Sequence, residues 1–92
     1  MDEKNILILG RRDHTEAMRV AAGLTIFGHT VRIAFMSKPL AETQENADAA
    51  ELLELSEIEP ETTVNEMADD IEFLDADALA KAIKASDRVI TI

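Results

Sequence analysis

The chain has 92 residues and a formal net charge of −10, with 19 acidic against 9 basic side chains. That length holds one hydrophobic core, and 47% hydrophobic with 30% charged residues is the composition of a globular domain. The acidity excludes non-specific attachment to DNA, RNA or anionic membranes, whose phosphates repel it, and the lack of cysteine excludes disulfides and all thiol chemistry. With neither Trp nor Tyr, the chain has no stacking platform for bases.

The first strand is expected over Asn5 to Leu9, a continuous aliphatic run of the kind buried on both faces, ended by Gly10. Residues Gly10 to His14 make the turn. A helix follows from Thr15 to Phe27, with Asp13 as N-cap and Glu16 at capping-box spacing. Gly28 is placed to end it in a left-handed conformation, with His29 in a capping role. The second strand is Thr30 to Met36, with Val31, Ile33 and Phe35 on one face and Arg32, Ala34 and Met36 on the other. Arg32 points to a less buried face or to an edge position. After the loop Ser37 to Leu40, a second helix runs from Asn46 to Ser56, with Ala49, Leu52, Leu53 and Ser56 inward. It cannot continue through Pro60. Thr62 to Val64 reads as a short third strand, and residues 67–74 fit neither period. Asp75 or Asp77 caps a last helix to Ala85, with Leu79 and Ile83 inward. Arg88 to Ile92 is the final strand.

This alternation predicts one α/β domain over residues 1–92: a small three-layer α/β/α fold with a mostly parallel sheet of four to five strands. The core is expected to gather Ile6, Ile8, Leu24, Val31, Ile33, Leu79, Ile83 and Ile90. The charged N-terminus and the four-residue apolar run Ile6 to Leu9 are too short for an export signal or a membrane span. The expectation is therefore a soluble cytoplasmic protein with no membrane and no nucleic-acid partner.

Charge is segregated along the chain. Residues 1–38 are net +2, residues 39–80 carry fourteen acidic and no basic side chains, and residues 81–92 are net +2. The block is either a solvated face, a docking surface for a basic partner, or a metal site at Asp69, Asp70 and Glu72. No EF-hand register supports the last, so no metal and no cofactor are expected.

In open parallel sheets, ligands bind beyond the carboxyl ends of the strands. The corresponding segments are Arg11 to Thr15, Ser37 to Leu40 and Asn65 to Met67. The first gathers Arg11, Arg12 and His14 at a helix N-terminus, a tentative anion-binding corner. The alternative is that the two arginines offset the acidic block and His14 is a solvated loop residue. The corner lacks the glycines of a dinucleotide fingerprint and the Gly-Lys-Ser/Thr of a P-loop, and no serine sits in a nucleophile elbow. No catalytic residue is assigned.

The first helix carries two apolar stripes. Ala17, Val20, Ala21, Leu24 and Phe27 form a core face, and Met18, Ala22 and Ile26 form a second, which predicts a subunit interface.

The first strand, the small-residue helix and the segment Gly28-His29-Thr30-Val31-Arg32-Ile33-Ala34-Phe35-Met36 together resemble the DsrE/DsrF/DsrH-like (TusD/TusC/TusB-like) proteins of sulfur metabolism. Ala85-Ser86-Asp87-Arg88-Val89-Ile90, entering the last strand, is also similar to theirs. The resemblance implies a three-layer subunit forming homo-oligomers, or hetero-oligomers with related subunits. Catalytic members carry a persulfide on a cysteine after a middle strand. The matching region here, Val64 to Ile71, offers Asn65, Glu66 and Met67, so persulfide transfer is excluded. The expected function is a non-catalytic accessory or binding subunit. Rival expectations are a small anionic-ligand binder or enzyme using the Arg11/Arg12/His14 corner, and a flavodoxin-like domain without cofactor.

Overall fold

Ile6, Leu7, Ile8 and Leu9 present apolar side chains to both faces of the pleat, so this strand must be covered on both sides. The computed structural model describes residues 3–92 and covers it so; the first two residues of the charged N-terminus lie outside the described residues. The elements are β1 (Asn5–Gly10), α1 (His14–Ile26), β2 (Thr30–Phe35), α2 (Gln44–Leu55), β3 (Glu61–Thr62), a 3-10 turn (Asn65–Met67), β4 (Glu72–Phe73), α3 (Ala76–Ala85) and β5 (Arg88–Thr91). The five strands form one all-parallel sheet in the order β4-β3-β2-β1-β5, with Ile8 opposite both Ile33 and Ile90.

The order explains the layers. The chain steps from β1 to β4 in one direction, so right-handed crossovers put α1, α2 and the 3-10 turn on one face. It then returns past β1 to β5, which puts α3 on the other. The first face buries Ile6, Ile8, Ala17, Met18, Ala21, Ile33, Phe35, Ala49, Leu53 and Ile58. The second buries Leu7, Leu9, Ala34, Leu74 and Ala82. This is the three-layer α/β/α arrangement expected.

Local chemistry sets the helix ends. The Asp13 carboxylate accepts from the Glu16 amide at 3.0 Å, Thr43 caps α2 through Asn46 N–H, and Asp75 caps α3 through Ala78 N–H. Gly28 has φ +93°, and the His29 and Gly28 amides donate to the Leu24 and Thr25 carbonyls, which closes α1 in a Schellman motif. The His29 ring turns elsewhere: its Nδ1 accepts from the Lys4 amide at 3.2 Å. The end of α2 makes the same motif without glycine. Glu57 takes φ +60°, its amide donates to Glu54, and the Ile58 amide donates to Leu53.

Several sequence expectations are corrected. Met18 and Ala22 are buried within the chain, because α2 packs beside α1 on the same face of the sheet and covers this flank. The second stripe is thus an intramolecular helix–helix contact, and only Ile26, 82% exposed, remains available to another subunit. Phe27, assigned to the core face, is 68% exposed beyond the last turn. Leu52 is exposed because Ala49 and Leu53 take the inner side of α2. Ile83 is exposed because α3 meets the sheet through Ala78, Leu79 and Ala82. Arg32 does not mark a sheet edge. β2 is the central strand, and β3 pairs only with its last two residues, Ala34 and Phe35. The third strand is Glu61–Thr62 rather than 62–64, and part of the ambiguous segment supplies β4. Among the described residues no helix is long and apolar enough to cross a membrane.

Candidate ligand-binding cleft

The three residues of the proposed corner do not converge. His14 is buried: its ring tilts against Phe35 with centroids 5.2 Å apart, and its Nε2 donates to the Met36 carbonyl at 3.2 Å. It is a core histidine with a satisfied ring nitrogen, not a solvated loop residue. Arg11 and Arg12 stay exposed and line a cavity of about 350 Å³ with Ser37, Thr91 and Ile92, between the carboxyl ends of β1 and β5. His14 lines a separate cavity of about 230 Å³, reached by Arg12 and Lys38. The Arg11 and Arg12 amides already donate to the Ile92 carbonyl at 2.8 and 3.0 Å. An anion in this corner would therefore meet guanidinium groups but no free cradle of backbone donors.

The other two carboxyl-end segments build a larger feature. A β3-to-β4 crossover in a parallel sheet ordinarily carries a helix. Here the crossover is a single 3-10 turn, and β3 and β4 are two residues each. No helix therefore roofs this end of the sheet beside α2. The gap is an apolar cleft of about 400 Å³ lined by Met18, Phe35, Leu40, Leu53, Met67 and Ile71, among others. It opens into a wider trough of about 720 Å³, and the two share Leu40, Ala50, Met67 and Ile71.

Buried hydrogen bonds hold the walls. Thr62 is fully buried; its hydroxyl donates to the Phe35 carbonyl at 3.0 Å and accepts from the Val64 amide at 2.9 Å, with the Met67 sulfur 3.6 Å away. Asn46 is buried at the start of α2. It accepts from the Thr15 hydroxyl and donates from Nδ2 to the Ala41 carbonyl at 2.8 Å, tying α1 to the loop that carries Leu40. The Schellman contact between Leu53 and Ile58 closes the far end.

The ionisable residues lining cleft and trough are Glu54 and Glu59, then Glu42, Glu66 and Asp70. All are acidic, all come from the block 39–80, and all are exposed at the rim. Among the described residues no group of three or more His, Asp or Glu side chains is placed to hold a metal ion, so Asp69, Asp70 and Glu72 form no such site.

Sequence reasoning marked Ser37 to Leu40 and Asn65 to Met67 as carboxyl-end segments but did not bring them together. The available signal was Leu40, Met67 and Ile71, apolar residues isolated in a strongly acidic stretch. No family model, curated protein or solved structure matches this chain.

Proposed function

We propose that this chain is an accessory binding subunit, and that its ligand site is the apolar cleft between α2 and the 3-10 turn. One observation carries the reading: an apolar cavity of about 400 Å³ beside the carboxyl end of the central strand, within the size range of ligand sites. The cleft takes in Met67, in the segment where catalytic DsrE-like proteins carry their cysteine. The link to intracellular sulfur metabolism rests on that resemblance, to which the three-layer parallel fold conforms. Work within a homo- or hetero-oligomer is supported by exposed Ile26, Phe27 and Leu55 at the ends of α1 and α2.

The test uses a neutral apolar dye such as Nile red. Wild-type protein should bind it with enhanced fluorescence. Ala50 is exposed and lines both parts of the trough, so Ala50→Trp should fill the trough and abolish binding without lowering thermal stability. Dye binding that is absent in the wild type, or unchanged in Ala50→Trp, would sink the reading.

A second reading is favoured by the cavity that Arg11 and Arg12 share with Ser37 and Thr91. Two guanidinium groups and two hydroxyls fit a small oxyanion. Calorimetric titration with phosphate distinguishes it: heat lost in Arg11→Ala/Arg12→Ala supports the corner.

A further inference from the structure

The cleft has a chemical polarity that narrows its occupant. We infer that it receives a basic amphipathic segment of a partner protein, apolar side chains inward and Lys or Arg on the rim. This rests on the cleft being the ligand site.

Topology turns the charge segregation into a spatial one. Residues 39–74 fold into α2, β3, the 3-10 turn and β4, at one end of the sheet order, and carry twelve of the block's fourteen acidic side chains and no basic ones. The mildly basic segments supply β1 and β5 at the other end. The molecule is thus strongly negative on the side where the cleft opens. Such a field steers cationic partners toward the opening and repels acidic ones.

The interior supplies the second half of the match. Met18 and Met67 line the cleft, and unbranched thioether side chains adapt to irregular apolar surfaces. The trough is continuous with the cleft, which suits a row of side chains better than one compact ligand. A helix laid in a groove is a recurrent way to use such a surface. A second copy of this chain offers a poorer match. Its exposed apolar tip, Ile26 and Phe27, has no basic residue in the last turn of α1.

The experiment titrates the full chain with a synthetic amphipathic Leu–Lys peptide, and separately with its Leu–Glu counterpart. Methionine methyl resonances report the location. Met18 and Met67 lie in the cleft, whereas Met36 packs on the opposite face of the sheet and serves as control. The Leu–Lys peptide should shift Met18 and Met67 and leave Met36 unmoved. Its affinity should fall about tenfold from low to moderate salt. The surface variant Glu66→Lys/Asp70→Lys should weaken it at least as much. Equal binding of the Leu–Glu peptide would overturn the inference, as would equally tight binding of hexylammonium, which would point to a small amine. If Nile red shifts Met67 but the Leu–Lys peptide binds no better than Leu–Glu, the occupant is wrong and the cleft stands. If neither dye nor peptide shifts Met67, both fail.

Discussion

Arg32 on β2 clasps Glu61 on β3 through two parallel hydrogen bonds, Nε to Oε1 at 3.0 Å and Nη2 to Oε2 at 2.7 Å. Glu61 opposes Ala34 in the register, so the pair reaches diagonally across the α3 face, from the part of β2 that precedes the start of β3. The Glu61 hydrogen bond raises the Arg32 pKa; partial burial opposes this, and the charges of Glu61 and Glu72 add to the rise. The Arg32 side chain is 41% exposed and that of Glu61 12%. Arg32→Met should therefore cost about 1–2 kcal/mol, mostly by stranding the less exposed carboxylate. A raised arginine pKa means stability fully present below the ordinary value and lost only as pH climbs through the raised one. The cost should be equal at neutral and mildly alkaline pH, read from urea midpoints. A cost that vanishes at pH 9 would contradict the assignment.

Gly10 sits where β1 meets α1. A Cβ there would lie 3.2 Å from the Ala17 Cβ and 3.6 Å from both His14 and Phe35 ring carbons. Gly10→Val should cost about 1–3 kcal/mol by overpacking, whereas Gly23→Ala, with open space around it, should not destabilise. Parallel thermal melts decide; equal melting temperatures for the two variants would refute the close approach.

Glu57 holds a left-handed conformation at the end of α2 that suits glycine. Relief of that strain exceeds the added freedom of a glycine in the unfolded chain, so Glu57→Gly should stabilise by about 0.5 kcal/mol. A denaturation midpoint that falls would show that the Glu57 side chain makes a contribution of its own.

Asn46 joins α1, α2 and the cleft loop. Asn46→Ala leaves the Thr15 hydroxyl without its partner and removes one of the two donors to the Ala41 carbonyl, which keeps the Thr43 amide at 3.0 Å, and should cost about 1 kcal/mol. Its distinctive effect should be at the cleft, where exchange should accelerate more for the Thr43 amide, which donates to the Ala41 carbonyl, than for β1. Uniform acceleration across the chain would mean only global destabilisation.

The chain should self-associate through Ile26 with Phe27 and Leu55. These lie at the ends of α1 and α2, and both helices finish at the amino edge of the sheet. A net charge of −10 opposes contact between copies, so moderate salt should tighten the assembly by screening. Sedimentation equilibrium of wild type and Ile26→Asp checks this. A wild-type monomer at high micromolar concentration would refute it, as would an unchanged assembly in the variant.

What is written locally was legible. The aliphatic run of β1, the Asp13 cap, the Gly28 stop and the alternation of strands and helices depend on neighbours within a few residues, and they could be read from residue order alone, as could the exclusion of thiol chemistry. The tertiary structure decided what depended on distant segments. Met18 and Ala22 became core because α2 covers them, and His14 turned inward because Phe35 and the Met36 carbonyl arrive from β2 to receive it. The cleft was decided last. It exists because the link from β3 to β4 is one 3-10 turn, leaving Leu40, Met67 and Ile71 around a gap that no helix fills. Hydrophobic periodicity shows that a side chain seeks burial; only the paired sheet shows which element arrives to bury it, and where none does.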